Sequence, residues 1–176
     1  MAHLQQRTWF YYVKHEYPYY FDTQRVLEVG SLDLNGTVRD FFVDCEYLGI
    51  DLGPGPGVDL VANGNEYCQP GHYSVVISTE SFEHNPDWAQ TFDNMYQSCC
   101  SGGLIIFTCA STGRPEHGTR ATTPADSPYT SDSDYYCNLT QQDFEARWRF
   151  DSLFNQHQFS YLADPGDLYF YGIKTE

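Results

Sequence analysis

Apolar positions along the chain switch between two rhythms. Residues 3–16 carry them at helix-compatible spacing, and Pro18 with Tyr17, Tyr19, Tyr20 and Phe21 closes that segment. A leading helix follows, packed on a sheet or laid over a pocket; packing is the simpler role for the aromatic run, ligand contact the sharper one. Arg25 to Val29 is a short apolar run stopped by Gly30, the form of a buried strand. Gly36 to Asp44 predicts a helix with Val38, Phe41 and Phe42 on one face, and Tyr47 to Asp51 a second strand. The stretch Gly53-Pro54-Gly55-Pro56-Gly57 excludes regular structure, so the second crossover helix is missing or reduced to a turn. Further strands are predicted at Val58–Ala62 and Tyr73–Thr79. Pro86 opens a helix with Asn85 as its cap, running to Cys99, and Gly102-Gly103 separates it from the most apolar strand, Leu104 to Thr108.

Residues 110–138 break the rhythm, being rich in Ser, Thr, Pro, Gly and Asp. A loop this long inside a compact domain is usually functional or disordered. Thr140 caps a last helix over about 141–155. Phe159–Leu162 and Leu168–Lys174 flank Asp164-Pro165-Gly166-Asp167, a turn sequence that makes them a hairpin and sets an antiparallel strand into the sheet. Strands alternating with helical stretches predict βαβ units, an α/β protein with a mostly parallel sheet.

Length and charge narrow the picture. The 176 residues suit one domain with a single core, with 1–22 as a leading helix or lid and 110–138 as a substrate-side loop. Nine Lys and Arg against 24 Asp and Glu give a net charge of −15, with the basic residues scattered. Nucleic acid is therefore disfavoured as a partner, because phosphate binding needs a basic face. The acidity reads first as a solvated surface, second as a preference for cationic substrates. No segment has the length of a membrane span, and no charged start precedes an apolar run. The six cysteines lack paired CxxC spacing and read as small buried hydrophobes in a reducing compartment, so the expected location is cytoplasmic.

The chemistry concentrates in residues 26–36, Val-Leu-Glu-Val-Gly-Ser-Leu-Asp-Leu-Asn-Gly. A glycine just past the first strand lets a ligand approach the backbone at the carboxyl edge of the sheet. Asp51 ends the second strand about twenty residues on, the usual distance for a carboxylate that grips ribose hydroxyls. Together they predict an adenosine-type cofactor. Leu32 stands where a dinucleotide loop needs its second glycine, and Glu28 and Asp33 beside the loop would repel a pyrophosphate. The same carboxylates suit a ligand with an ammonium group. NAD is disfavoured, and with no Gly-Lys-Ser/Thr loop a nucleoside triphosphate more so.

With these motifs in place, the chain resembles the class I S-adenosylmethionine-dependent methyltransferases, in particular the small methyltransferase type 11 group. The resemblance covers about residues 25–110. It rests on Val26-Leu27-Glu28-Val29-Gly30, Tyr47-Leu48-Gly49-Ile50-Asp51, the run Val75 to His84, and Ser101-Gly102-Gly103-Leu104-Ile105-Ile106, in that order. It implies a Rossmann-like three-layer sandwich, S-adenosyl-L-methionine as cofactor and S-adenosyl-L-homocysteine as product. Carried onto this sequence, Glu28, Gly30 and Ser31, with Asp33, line the methionine end; Asp51 takes the ribose and Leu52 packs on adenine. Asn63 and Gly64 meet the adenine amino group, and Ser78, Thr79 and Glu80 close the pocket beside the methyl group. Two departures are Asn63, where the family has an aspartate, and the loop's missing middle glycine.

The family pattern gives less for the acceptor side. His84 reads as a base or as a structural hydrogen-bonding group. Asn85-Pro86-Asp87-Trp88 differs from the motif of amino-methylating nucleic-acid enzymes, because it lies past the strand end and opens a helix. In the long loop Arg114 and His117 are candidates to orient or deprotonate an acceptor, with Tyr129, Tyr135 and Tyr136 as walls; the plain alternative is a surface loop. The expected catalytic set is His117, His84 and Glu80. His84, His117, Glu80 and Glu83 have ligand chemistry but no spacing of a closed metal site, so no metal is expected. The predicted activity is methyl transfer to an O or N atom of a small-molecule acceptor, or of an exposed side chain. The alternative is a non-catalytic module that binds the cofactor or a partner protein.

Overall fold

The computed structural model describes residues 4–130 and 133–176. Residues 1–3 of the predicted leading segment and 131–132 of the long loop lie outside them. Seven strands, β1 (Arg25–Val29), β2 (Glu46–Asp51), β3 (Leu60–Val61), β4 (Tyr73–Thr79), β5 (Cys99–Ala110), β6 (Phe154–Leu162) and β7 (Asp167–Lys174), form one sheet in the order β3-β2-β1-β4-β5-β7-β6. Strands β1 to β5 pair in parallel, and β7 runs antiparallel to β5 and β6. The chain winds outward from β1 in one direction and from β4 in the other. Their shared carboxyl edge is the switch point where ligands of open α/β sheets bind.

Alternation along the central strands explains the layers. In β5, Leu104 and Ile106 face α1 (Leu4–Glu16), where Phe10 and Val13 join Val26, Val75 and Ile77 in one core. Ile105 and Phe107 face the other side, covered by α2 (Trp88–Ser98), α3 (Gln141–Glu145) and α4 (Phe150–Leu153). Phe107 stacks on Phe144 at 4.6 Å and on Phe170 at 4.7 Å. Being buried on both faces is what makes β4 and β5 read as continuous apolar runs.

Several predicted elements change. The helix expected over Gly36–Asp44 is only a 3-10 turn, Arg39–Phe41. Gly36 at φ +125° and Asp44 at φ +51° stand outside helical space, Asp33 Oδ1 accepts from Gly36 N–H, and Thr37 Oγ1 accepts from Arg39 N–H. Too few residues remain to nucleate an α-helix. The strand expected over Val58–Ala62 keeps only Leu60–Val61, and Asp59 Oδ2 takes the Gly49 N–H at 2.7 Å. The reduced second crossover is as expected: Asp33 N–H donates to Pro56 O where a helix would otherwise stand.

Helix α2 starts at Trp88 rather than Pro86. Asn85 still anchors it, with Oδ1 accepting from Asp87 N–H and its carbonyl from Trp88 N–H. Gly102-Gly103 interrupts the pairing of β5: the strand opens at Cys99 opposite Tyr73, its pairing lapses over residues 100–103, where Gly102 takes φ +71°, and it resumes at Leu104 opposite Val75. The helix over 141–155 breaks into α3 and α4 around Arg147–Arg149, where Trp148 Nε1–H is held by Asp93 Oδ1 at 2.8 Å. Thr140 caps α3 reciprocally with Asp143. The C-terminal hairpin is present and longer than expected. Of the cysteines, all free thiols, Cys99 and Cys109 are buried and the other four are half-buried. Among the described residues no helix is long and apolar enough to cross a membrane.

Candidate functional site

A cavity of about 270 Å³ opens at the carboxyl edge of β1, β2 and β4. Gly30, at φ +81°, forms its floor, and a Cβ there would lie 2.7 Å from Ser81. Only glycine satisfies both the backbone angle and the contact. The Gly30 and Ser31 N–H groups both donate to Ile50 O, pinning the loop to β2. Asp51 follows on β2: its Oδ2 accepts from Leu32 N–H at 3.0 Å and its Oδ1 from Leu52 N–H at 2.8 Å. Burial raises its pKa above the ordinary value, and the two N–H bonds hold it back. A carboxylate has about four acceptor sites, so two remain for a vicinal diol.

The turn after β3 brings Asn63, Gly64 and Asn65 to the wall. A Cβ on Gly64 would sit 2.6 Å from Val29 Cγ1. Asn65 Oδ1 accepts from Asn85 Nδ2–H at 3.0 Å and from the Thr91 hydroxyl, tying this turn to the start of α2. On the other side stand Thr79, Glu80 and Ser81. Glu80 holds φ +50°, a conformation unusual for a residue with a side chain and typical of functional sites. Its Oε1 accepts from Thr108 Oγ1–H at 2.9 Å, and Thr108 Oγ1 accepts from Gln6 Nε2–H at 2.9 Å, so α1 reaches the site through one hydroxyl.

Residues 114–130 arch over the opening. Arg114 is held by buried Asp167 at 3.2 Å. Tyr129 donates its hydroxyl to Pro54 O, and its ring lies where a side chain on Gly53 would be. Gly53 therefore serves the strap as well as the shortened crossover. His117 and His84 meet edge to face at 5.0 Å, with Tyr136 packed against both. Burial, reinforced by His117, pushes His84 down to about 4, so its imidazole is neutral near pH 7.

Of the residues expected from sequence, Gly30, Asp51, Leu52, Asn63, Gly64, Thr79, Glu80, His84, Arg114, His117 and Tyr129 line this one cavity. Others are elsewhere. Glu28 shares the α1 face of β1 with Val26; its carboxylate accepts from Tyr47 O–H at 2.8 Å, and burial raises its pKa to about 7. Ser31 and Ser78 bury their hydroxyls, and Asp33 is taken up by Gly36. Tyr136 backs the histidines, and Tyr135 stands next to it outside the lining. Missed from sequence were Ser81, Asn65, Asn85 and Thr91, and Asp126, Ser127 and Thr130 on the strap. Asn85 was visible as a helix cap and in the Asn85-Pro86-Asp87-Trp88 run; nothing local marks it as a wall.

No protein-family model and no curated protein matches the sequence. Among solved structures, the chain is similar to Haemonchus contortus phosphoethanolamine N-methyltransferase 2, solved with phosphomonomethylethanolamine and S-adenosylhomocysteine. The identity is 15% and the TM-score 0.66, over 96% of this chain and 53% of that one. It is also similar to Burkholderia thailandensis 1,6-didemethyltoxoflavin-N1-methyltransferase with that compound and S-adenosylhomocysteine bound, at 14% identity and TM-score 0.65, over 97% and 78%. A third likeness is to the CurJ carbon methyltransferase, at 15% and 0.60, over 89% and 50%. The chain thus spans about half the length of the Haemonchus enzyme. It has the class I methyltransferase fold.

Proposed function

We propose that the chain binds S-adenosyl-L-methionine in this cavity and transfers its methyl group to an O or N atom of a small molecule, releasing S-adenosyl-L-homocysteine. The observation that carries the reading is the union of Gly30 and Asp51 in one cavity at the switch point of the sheet. An open backbone floor and a carboxylate with two free acceptor sites suit a nucleoside whose ribose lies against β2. Leu52 and Asn63 would receive adenine. The methionine end would rest on the Gly30 backbone rather than on Glu28, whose carboxylate is engaged by Tyr47.

Methyl transfer from a sulfonium is an in-line displacement, so the protein's main task is to align donor and acceptor and to exclude water. The strap from Arg114 to Tyr129 does the second. Glu80, His84 and His117 surround the space left for an acceptor. With its imidazole pushed down to about 4, His84 is a weak base, better suited to accept a hydrogen bond than to take a proton from an acceptor. The small molecules bound in the two N-methylating structural relatives support the same class here, and free thiols accord with a cytoplasmic setting.

The test is calorimetric titration with S-adenosylmethionine and S-adenosylhomocysteine, with NAD as control. Asp51→Ala should weaken both by about tenfold or more, the effect of losing a charged hydrogen-bond acceptor. Asp51→Asn, which keeps an acceptor for one N–H, guards against a collapsed loop. If the folded protein binds neither compound, the methyltransferase reading fails and the non-catalytic one takes its place.

A further inference from the structure

The sequence offers no metal-site spacing, yet folding brings three donors together. One donor atom each from Glu83, His84 and His117 lies within 4.8 Å of the other two. Glu83 comes from the turn after β4, His84 from the next position, and His117 from the strap, so only tertiary structure unites them. We propose that these side chains form a binding site for a borderline divalent cation of the zinc class, at the wall of the cavity.

Unmet polar groups carry the argument. Glu83 is fully buried, and neither carboxylate oxygen makes a hydrogen bond of ordinary geometry; the nearby backbone N–H groups of Glu83 and Ala110 only partly offset the burial. A carboxylate is rarely buried without a pair, a hydrogen bond or a metal. His84, itself buried, leaves Nδ1 without a partner. His117 donates its Nδ1–H to Pro115 O at 3.1 Å, which directs Nε2 away as a free lone pair. That backbone bond is the usual device for orienting a metal-ligating imidazole. Tyr136, packed on both rings, fixes their planes.

Two imidazoles and a carboxylate are the donor set of open zinc sites, which keep a fourth position for water or substrate. Donors on a tetrahedral zinc at about 2.1 Å stand roughly 3.4 Å apart, so the three must draw together slightly, a change that side-chain rotation and the strap allow. Glu80, three residues before Glu83, likewise buries an Oε2 with no hydrogen-bond partner. A cation would relieve both carboxyls. The open position faces the cavity, since His84, His117 and Glu80 line it. The inference concerns these donors alone and stands whether or not methyl transfer is the reaction.

The test uses the full chain, stripped with chelator, titrated with Zn²⁺ against a chromophoric competitor and with Co²⁺ followed by its visible absorption. One equivalent should bind, with a cobalt spectrum lacking a thiolate charge-transfer band, which separates this site from the free cysteines. His117→Ala should weaken binding at least tenfold, as should Glu83→Gln, each with an unchanged circular dichroism spectrum. His117 is on the half-exposed strap, so its variant decides if the buried Glu83 variant does not fold. S-adenosylhomocysteine titration of the same samples reports on the cofactor reading separately. No stoichiometric binding by folded protein, binding unmoved by His117→Ala, or a thiolate band would each overturn the proposal.

Discussion

Glu28 offers a quantitative test of how this fold treats a buried carboxyl. It is 4% exposed on the central strand β1, with one hydrogen bond, from Tyr47. Burial raises its pKa from 4.5 to about 7, against the opposing pull of Tyr47 and Arg39. Below the unfolded value both states hold the proton, and Glu28 adds no pH dependence. As pH rises, the unfolded chain ionises first, so the native state binds more protons and loses stability until the folded group also ionises near 7. At about 1.36 kcal/mol per pH unit, the loss is on the order of 3 kcal/mol. That is a large part of the roughly 5–15 kcal/mol that holds a domain together. Glu28→Gln keeps an acceptor for Tyr47 and cannot ionise. Urea unfolding of both proteins between pH 4.5 and 8 should give curves that meet at the acid end and separate by about 3 kcal/mol, in favour of the variant, at the alkaline end. His84 and Glu83 also titrate abnormally, but they are common to both proteins and cancel in the difference. Parallel curves would refute the reasoning, because they would mean that Glu28 ionises in the fold as it does in water.

The remaining predictions concern the cavity floor and the core. Gly30→Ala meets both a positive φ and Ser81, so it should lower the thermal midpoint and abolish nucleoside binding in calorimetry; unchanged values for both would mean the loop is not held as described. Phe107→Ala removes a ring stacked between Phe144 and Phe170 and should cost about 3–5 kcal/mol in urea unfolding, with a loss under about 1 kcal/mol contradicting the core assignment.

Strand identity, the glycine turn at Gly30, the missing crossover at 53–57 and the C-terminal hairpin were legible in the sequence, because each depends on neighbouring residues. Apolar runs mark strands buried on both faces, and Gly and Pro restrict the backbone where they stand. Asp51 was legible for a similar reason, its spacing from Gly30 being set by one strand-crossover-strand unit. Tertiary structure decided the rest. Val38, Phe41 and Phe42 have the rhythm of a helix, yet Gly36, Asp44 and the side chains of Asp33 and Thr37 break it, and packing against α1 needs only one turn. Gly102-Gly103 reads locally as a break, and pairing with β4 does lapse there; the one pair before it, Cys99 with Tyr73, is what extends β5 back to the end of α2. Glu28 borders the glycine loop in sequence, while strand alternation turns it to the opposite face, towards Tyr47. His84 and His117 lie far apart in the chain and meet because the strap, pinned by Tyr129 over Gly53 and by Arg114 on Asp167, folds across the cavity. Such contacts arise from the path of a long segment through space, which no local periodicity encodes.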